Sequence, residues 1–73
     1  MKREDLRAQT CLVIEKDGKY LAGYRTFLGT VRWDDHLSYA WRTRDKEEAL
    51  RVAEEFGGTV MLFNPIIWRT KKL

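Results

Sequence analysis

Between Thr43 and Phe63 the spacing of apolar residues changes period. Ala49, Val52, Ala53 and Phe56 recur at helical intervals with Leu50 flanking them, whereas Val60-Met61-Leu62-Phe63 is a continuous apolar run. That change predicts an amphipathic helix leading into a short strand. Asp45 is a suitable N-cap, and Glu48 three residues on completes a capping box; Thr43 is the rival cap. Acids in the first turn suit the helix dipole. Gly57-Gly58 ends the helix, because glycine accepts the left-handed geometry that follows a last helical turn. The strand runs from Thr59 to Phe63, and Asn64-Pro65 stops it. Val60 and Leu62 point to one side of it and Met61 and Phe63 to the other, so this strand needs cover on both faces.

Upstream the period is that of strands. Thr10 to Lys16 is β-branched and apolar, and Asp17-Gly18 follows, the dipeptide that favours a two-residue hairpin turn. Lys19 to about Phe27 is the return strand. With Lys16 opposite Lys19, Ile14 would face Leu21, Val13 would face Ala22, Leu12 would face Gly23 and Cys11 would face Tyr24. One face then holds Leu12, Ile14, Leu21 and Gly23, a bed for the helix with Gly23 permitting close approach. The other holds Cys11, Val13, Tyr20, Ala22 and Tyr24. Leu28 to Leu37 reads as a loop, on account of Gly29 and Asp34-Asp35-His36. Ser38 to Arg42 reads as a third strand, with Tyr39 and Trp41 on one side and Ala40 and Arg42 on the other. Ile66 to Arg69 would add a short fifth strand at an edge. The expected order is β-β-β-α-β, an α+β domain with one helix on an antiparallel or mixed sheet. Residues 1–9 are expected to be a flexible segment, and 10–70 a single domain.

A chain of 73 residues is one domain close to the lower limit for folding unaided. An apolar content of 44% argues against disorder. The single cysteine, Cys11, excludes an internal disulfide framework and cysteine-rich zinc sites, and its apolar setting suits a buried, inert thiol. No window approaches the roughly 18 consecutive apolar residues of a membrane span. The charged N-terminus is not followed by the apolar core of a signal peptide. These features lead us to expect a cytoplasmic protein without a membrane partner. The net charge is +3, but it is unevenly spread. The helix carries five acids from Asp45 to Glu55 against Lys46 and Arg51, so the rest of the chain is strongly basic. Arg25, Arg32, Arg42, Arg69, Lys71 and Lys72 are the candidate anion contacts.

The inventory for catalysis is thin. His36 is the sole histidine, and a metal centre needs three or four converging ligands; Asp34-Asp35-His36 reads instead as a solvated turn. Cys11 has no evident base to activate it. The phosphate-cradling and nucleophile-elbow glycine patterns are absent from the sequence. We therefore expect no catalytic constellation, no cofactor and no metal.

The aromatic residues are the stronger lead. Tyr20, Tyr24, Tyr39 and Trp41 would share a sheet face turned away from the helix. Trp, Tyr and Arg dominate interface hot spots, so this face suits a protein partner or a homodimer. The alternative is single-stranded nucleic acid, with bases stacked on the aromatics and phosphates on the arginines. Three stretches, Tyr39-Ala40-Trp41-Arg42-Thr43, Ala49…Val52-Ala53…Gly57-Gly58 and Phe63-Asn64-Pro65, resemble short uncharacterised proteins of phages and conjugative elements of Gram-positive bacteria, over roughly residues 19–66. That resemblance implies a mobile-element setting and carries no activity.

Overall fold

The computed structural model describes residues 10–73; the segment expected to be flexible, 1–9, lies outside the described residues. Five strands and one helix follow in order: β1 Cys11–Lys16, β2 Lys19–Arg25, β3 Thr30–Asp34, α1 Lys46–Phe56, β4 Thr59–Asn64 and β5 Arg69–Lys72. The strands form one sheet in the spatial order β3-β2-β1-β4-β5, antiparallel at every pairing. This is an α+β fold.

The helix forms as its sequence dictates. The Asp45 carboxylate accepts the N–H groups of Glu47 and Glu48, and Gly57 closes the last turn at φ 82°. Thr43, the rival cap, donates its hydroxyl to Glu48 at 2.9 Å and accepts the N–H of Asp45. An 11-residue helix is marginal alone, so its stability comes from packing. Ala49, Val52 and Ala53 are buried against Leu12, Ile14, Leu21 and Val60. Each large side chain fully withdrawn from water here contributes roughly 1.5–3 kcal/mol. On the opposite face of the sheet Val13, Ala40 and Phe63 form a second, smaller core, edged by Cys11, Tyr20, Leu37 and Met61. The two apolar sides of β4 are thus both used, one in each core.

The hairpin differs from expectation. Only Lys16↔Lys19 and Glu15↔Tyr20 are laddered between β1 and β2. Beyond them the strands part, and residues 41–43 enter the gap. Leu12 N–H donates to Thr43 O at 2.8 Å and Thr43 N–H returns to Leu12 O at 3.1 Å, while Trp41 N–H donates to Leu21 O at 2.7 Å. The expected pairs from Ile14–Leu21 to Cys11–Tyr24 are therefore not made. The expected third strand is this wedge, reduced to an isolated bridge at Thr43, with Leu37–Tyr39 coiled into a 3₁₀ turn before it.

The third strand lies instead in the stretch expected to be a loop. Thr30-Val31-Arg32-Trp33-Asp34 alternates and pairs with β2, while Gly29, at φ 66°, serves the turn before it. A β-bulge between Leu21 and Gly23 shifts the register of β2. Because strand side chains alternate with period two, one inserted residue sends everything beyond it to the other face. Tyr24 consequently packs with the helix-side core. The fifth strand also lies further on than expected, with Pro65 to Trp68 forming the turn that precedes it. Gly23 does not serve close approach, since a Cβ there would meet nothing within 4 Å. Gly58 does: a Cβ there would fall 2.7 Å from the Ile14 Cγ2.

Candidate contact surface

The four aromatic residues expected on one face are divided between several settings. Tyr24 and Trp41 meet edge to face, ring centroids 5.4 Å apart, and Tyr24 also lies 5.5 Å from Phe56 of the helix. Tyr20 lies on the opposite side, at the rim of the second core. Tyr39 is 65% exposed on the 3₁₀ turn, its ring 6.1 Å from that of His36. The bulge in β2 and the wedge at 41–43 account for this division. Trp33 completes the helix-side rim, with the Lys16 ammonium 5.6 Å from its ring.

The expected anion contacts are likewise dispersed. Arg42 spreads over the ring of Phe63 at 5.0 Å, a cation–π contact that helps roof the second core together with Trp68, edge-on to Phe63 at 5.2 Å. Arg32 and Arg25 lie on the β2–β3 hairpin, where with Gly23, Tyr24, Thr30 and Val31 they line a shallow groove. Arg69 and Lys71 line another groove with Thr10, Leu62, Asn64, Ile67 and Thr70. Arg44 donates to the carbonyl of Thr10 at 2.8 Å beside that second groove. Lys72 follows on β5 opposite Met61.

Asp34, Asp35 and His36 bring three ligating atoms within 4.8 Å of one another. The His36 N–H donates to Asp34 Oδ1 at 2.8 Å, and its Nδ1 lies 3.1 Å from Asp35 Oδ1. His36 itself is largely in solvent, so this is a hydrogen-bonded surface turn. Cys11 is half-buried rather than fully buried, and that burial raises its pKa against the opposing pull of Arg42 and Arg44, which favours the protonated thiol.

A different feature emerges from the strand directions. β2 descends into the turn before β3, and β4 descends into the turn before β5, so both turns lie at the same end of the sheet as the start of β1. Phe27 and Leu28 occupy the first turn, and Ile66, Ile67 and Trp68 the second. All five are exposed, Phe27 at 86% and Ile66 at 72%. Turns normally carry Gly, Pro, Asn, Asp or Ser. The second turn uses them to hold its shape: the Asn64 carboxamide accepts the Ile66 N–H at 2.9 Å. Trp68 adopts a left-handed φ of 56°. Large apolar residues inside Thr-Phe-Leu-Gly and Asn-Pro-Ile-Ile-Trp were the legible signal for this surface. Arg25 and Arg69 flank the two turns, and Arg44 and Lys46 stand at the same end. The opposite end turns through Asp17-Gly18, Asp35-His36 and Gly57-Gly58, all polar.

No family model, no curated protein and no solved structure matches the chain. Among the described residues no helix is long and apolar enough to cross a membrane.

Proposed function

We propose that the chain is a small binding module, not an enzyme, and that it makes its contact through the end of the sheet bearing the two apolar turns. The observation that carries this reading is the exposure of Phe27, Leu28, Ile66, Ile67 and Trp68 on two turns at one end of the sheet. Exposed apolar residues scattered singly need no explanation, but clusters of them mark contact sites. Both faces of the sheet are occupied from within the chain, by the helix on one side and by Ala40, Arg42 and Trp68 on the other. The end of the sheet offers an apolar surface for a partner, a second copy included, that carries the two most exposed large apolar side chains among the described residues, Phe27 and Ile66. A stacking platform for single-stranded nucleic acid would draw on Tyr24 and Trp41, which are half-buried against the helix-side core and offer less ring surface than the two turns.

Melting temperatures test the reading. Phe27→Ser and Ile66→Ser should each leave the midpoint within about 2 °C of wild type, because a side chain largely in solvent contributes little to folding. A loss near 5 °C or more in both, equivalent to about 1 kcal/mol in a domain of this size, would make them packing groups and overturn the reading. So would association with any partner that both variants retain at full strength.

A further inference from the structure

We infer that the partner of this end is an anionic lipid surface, on which the protein stands with its two apolar turns in the headgroup layer. The inference rests on the reading of this end as the contact surface. Three observations select a bilayer over a folded protein.

The first is the distribution of the apolar groups. They stand on two turns with β1 and the wedge between them, since the sheet order places the β2–β3 turn on one flank and the β4–β5 turn on the other. A folded partner would need two separate, correctly spaced pockets to receive them. A bilayer interface receives separate protrusions equally well, provided that they reach a similar depth.

The second is residue type. Phe, Leu and Ile gain from the acyl boundary, while Trp combines an apolar ring with an N–H that suits the headgroup level. Trp68 is 51% exposed, one side of its ring against Phe63 and the rest open. It is thereby anchored to the core and presented to the interface at once.

The third is charge. Arg25 closes β2 immediately before the first turn, and Arg69 opens β5 immediately after the second. Arg44 and Lys46 lie between the two flanks, at the start of the helix. Asp45, Glu47 and Glu48 stand at the same end and offset much of the charge of Arg44 and Lys46, so the attraction rests on Arg25 and Arg69 beside the tips. Cations beside apolar tips attract the negative surface of a membrane rich in acidic lipid, and the tips then insert.

The test is sedimentation of the full chain with vesicles of phosphatidylcholine containing about 30% phosphatidylglycerol, beside vesicles of phosphatidylcholine alone. Binding to the acidic vesicles and weak binding to the neutral ones are expected. Phe27→Ser with Leu28→Ser, and Ile66→Ser with Ile67→Ser, should each weaken binding at least roughly tenfold while leaving the melting temperature in place. Arg25→Glu with Arg69→Glu should weaken it mainly at low salt. Failure of the wild-type chain to bind acidic vesicles at low salt overturns the lipid inference, and the contact-end reading then stands or falls on its own melting test. Vesicle binding that both serine pairs retain is adsorption by charge and rejects insertion. A chain that leaves vesicles unbound but forms dimers in light scattering, lost in the same serine pairs, names a second copy as the partner instead.

Discussion

The main chains of Leu12 and Thr43 exchange two hydrogen bonds, at 2.8 and 3.1 Å, inside what would otherwise be a continuous β1–β2 hairpin. This exchange fills the gap that opens between β1 and β2 beyond the Glu15–Tyr20 pair. It also delivers Trp41 to the helix side and Arg42 to the ring of Phe63. The wedge is thus the device by which one short segment serves both cores.

Amide hydrogen exchange checks the wedge directly. The N–H groups of Trp41 and Thr43 should be protected to the same order as those of β1 and β4, although they lie outside the five strands. Thr43→Pro removes one of the two bonds and should cost about 3 kcal/mol in urea denaturation. Exchange of both amides at the rate of the Asp35–His36 turn would contradict the pairing.

Gly58 has a φ of 137° and sits against Ile14. Alanine there meets both an unfavourable backbone geometry and a side chain in the core, so Gly58→Ala should lose about 2 kcal/mol or more. Ile14→Ala, costly in itself at a fully buried position, should cost less in the Gly58→Ala background than alone, because it removes the atom that clashes. Additive effects of the two changes would place the strain elsewhere.

The aromatic residues divide by stability. Phe63→Ala should cost about 3–5 kcal/mol, since the ring is fully buried. Tyr24→Ala should lose about 2 kcal/mol through its contacts with Trp41 and Phe56. Tyr39→Ala should fall within about 0.5 kcal/mol of wild type. Chemical denaturation ranks the three, and equal losses at Tyr24 and Tyr39 would mean that Tyr24 does not pack as described.

Asp45→Ala removes the acceptor for two helix N–H groups and should cost about 1 kcal/mol. Asp45→Ser, which can still accept, should recover most of it. A loss that serine does not recover would assign the carboxylate a role other than capping.

Alkaline pH provides a check on Cys11. Its pKa is raised by burial, against Arg42 and Arg44. The folded chain therefore holds this proton more tightly than the unfolded one. The resulting stabilisation is fully present below the ordinary thiol pKa and is lost as pH rises through the folded value. Alkylation by iodoacetamide should titrate with a midpoint above that of a cysteine in a short peptide. A midpoint at or below the peptide value would indicate that the arginines outweigh burial.

The sequence was most legible where signals are local. Asp45, the stripe Ala49-Val52-Ala53 and Gly57-Gly58 each act within one or two turns, and the helix is where they place it. The Asp17-Gly18 turn and the two-sided strand at Thr59–Phe63 are local in the same sense. The errors arose where a distant segment decides. The bulge at Leu21–Gly23 has no marker beyond a glycine, yet it reverses the side to which Tyr24 points. Ser38–Arg42 has strand-like composition, but Leu37–Tyr39 coils and only the end of the segment reaches an edge to pair with. Thr30–Asp34 was masked by Gly29 and by the acids after it, though its alternation is that of an edge strand. Phe27 at the end of an expected strand, Leu28 at the start of an expected loop and Ile66-Ile67-Trp68 in an expected edge strand carry no local sign that they end together in solvent.

The wedge also determines what the smallest foldable piece of this protein is. Leu12 and Leu21 lie on the first two strands, yet each owes a main-chain partner to the segment 41–43. A cut in the exposed turn at Asp35–His36 would leave the hairpin on one fragment and the piece that fills its gap on the other, with the helix and the last two strands. Neither half contains a finished sheet. The domain is therefore interlocked, and its first hairpin stays an open bracket until the middle of the chain returns to close it.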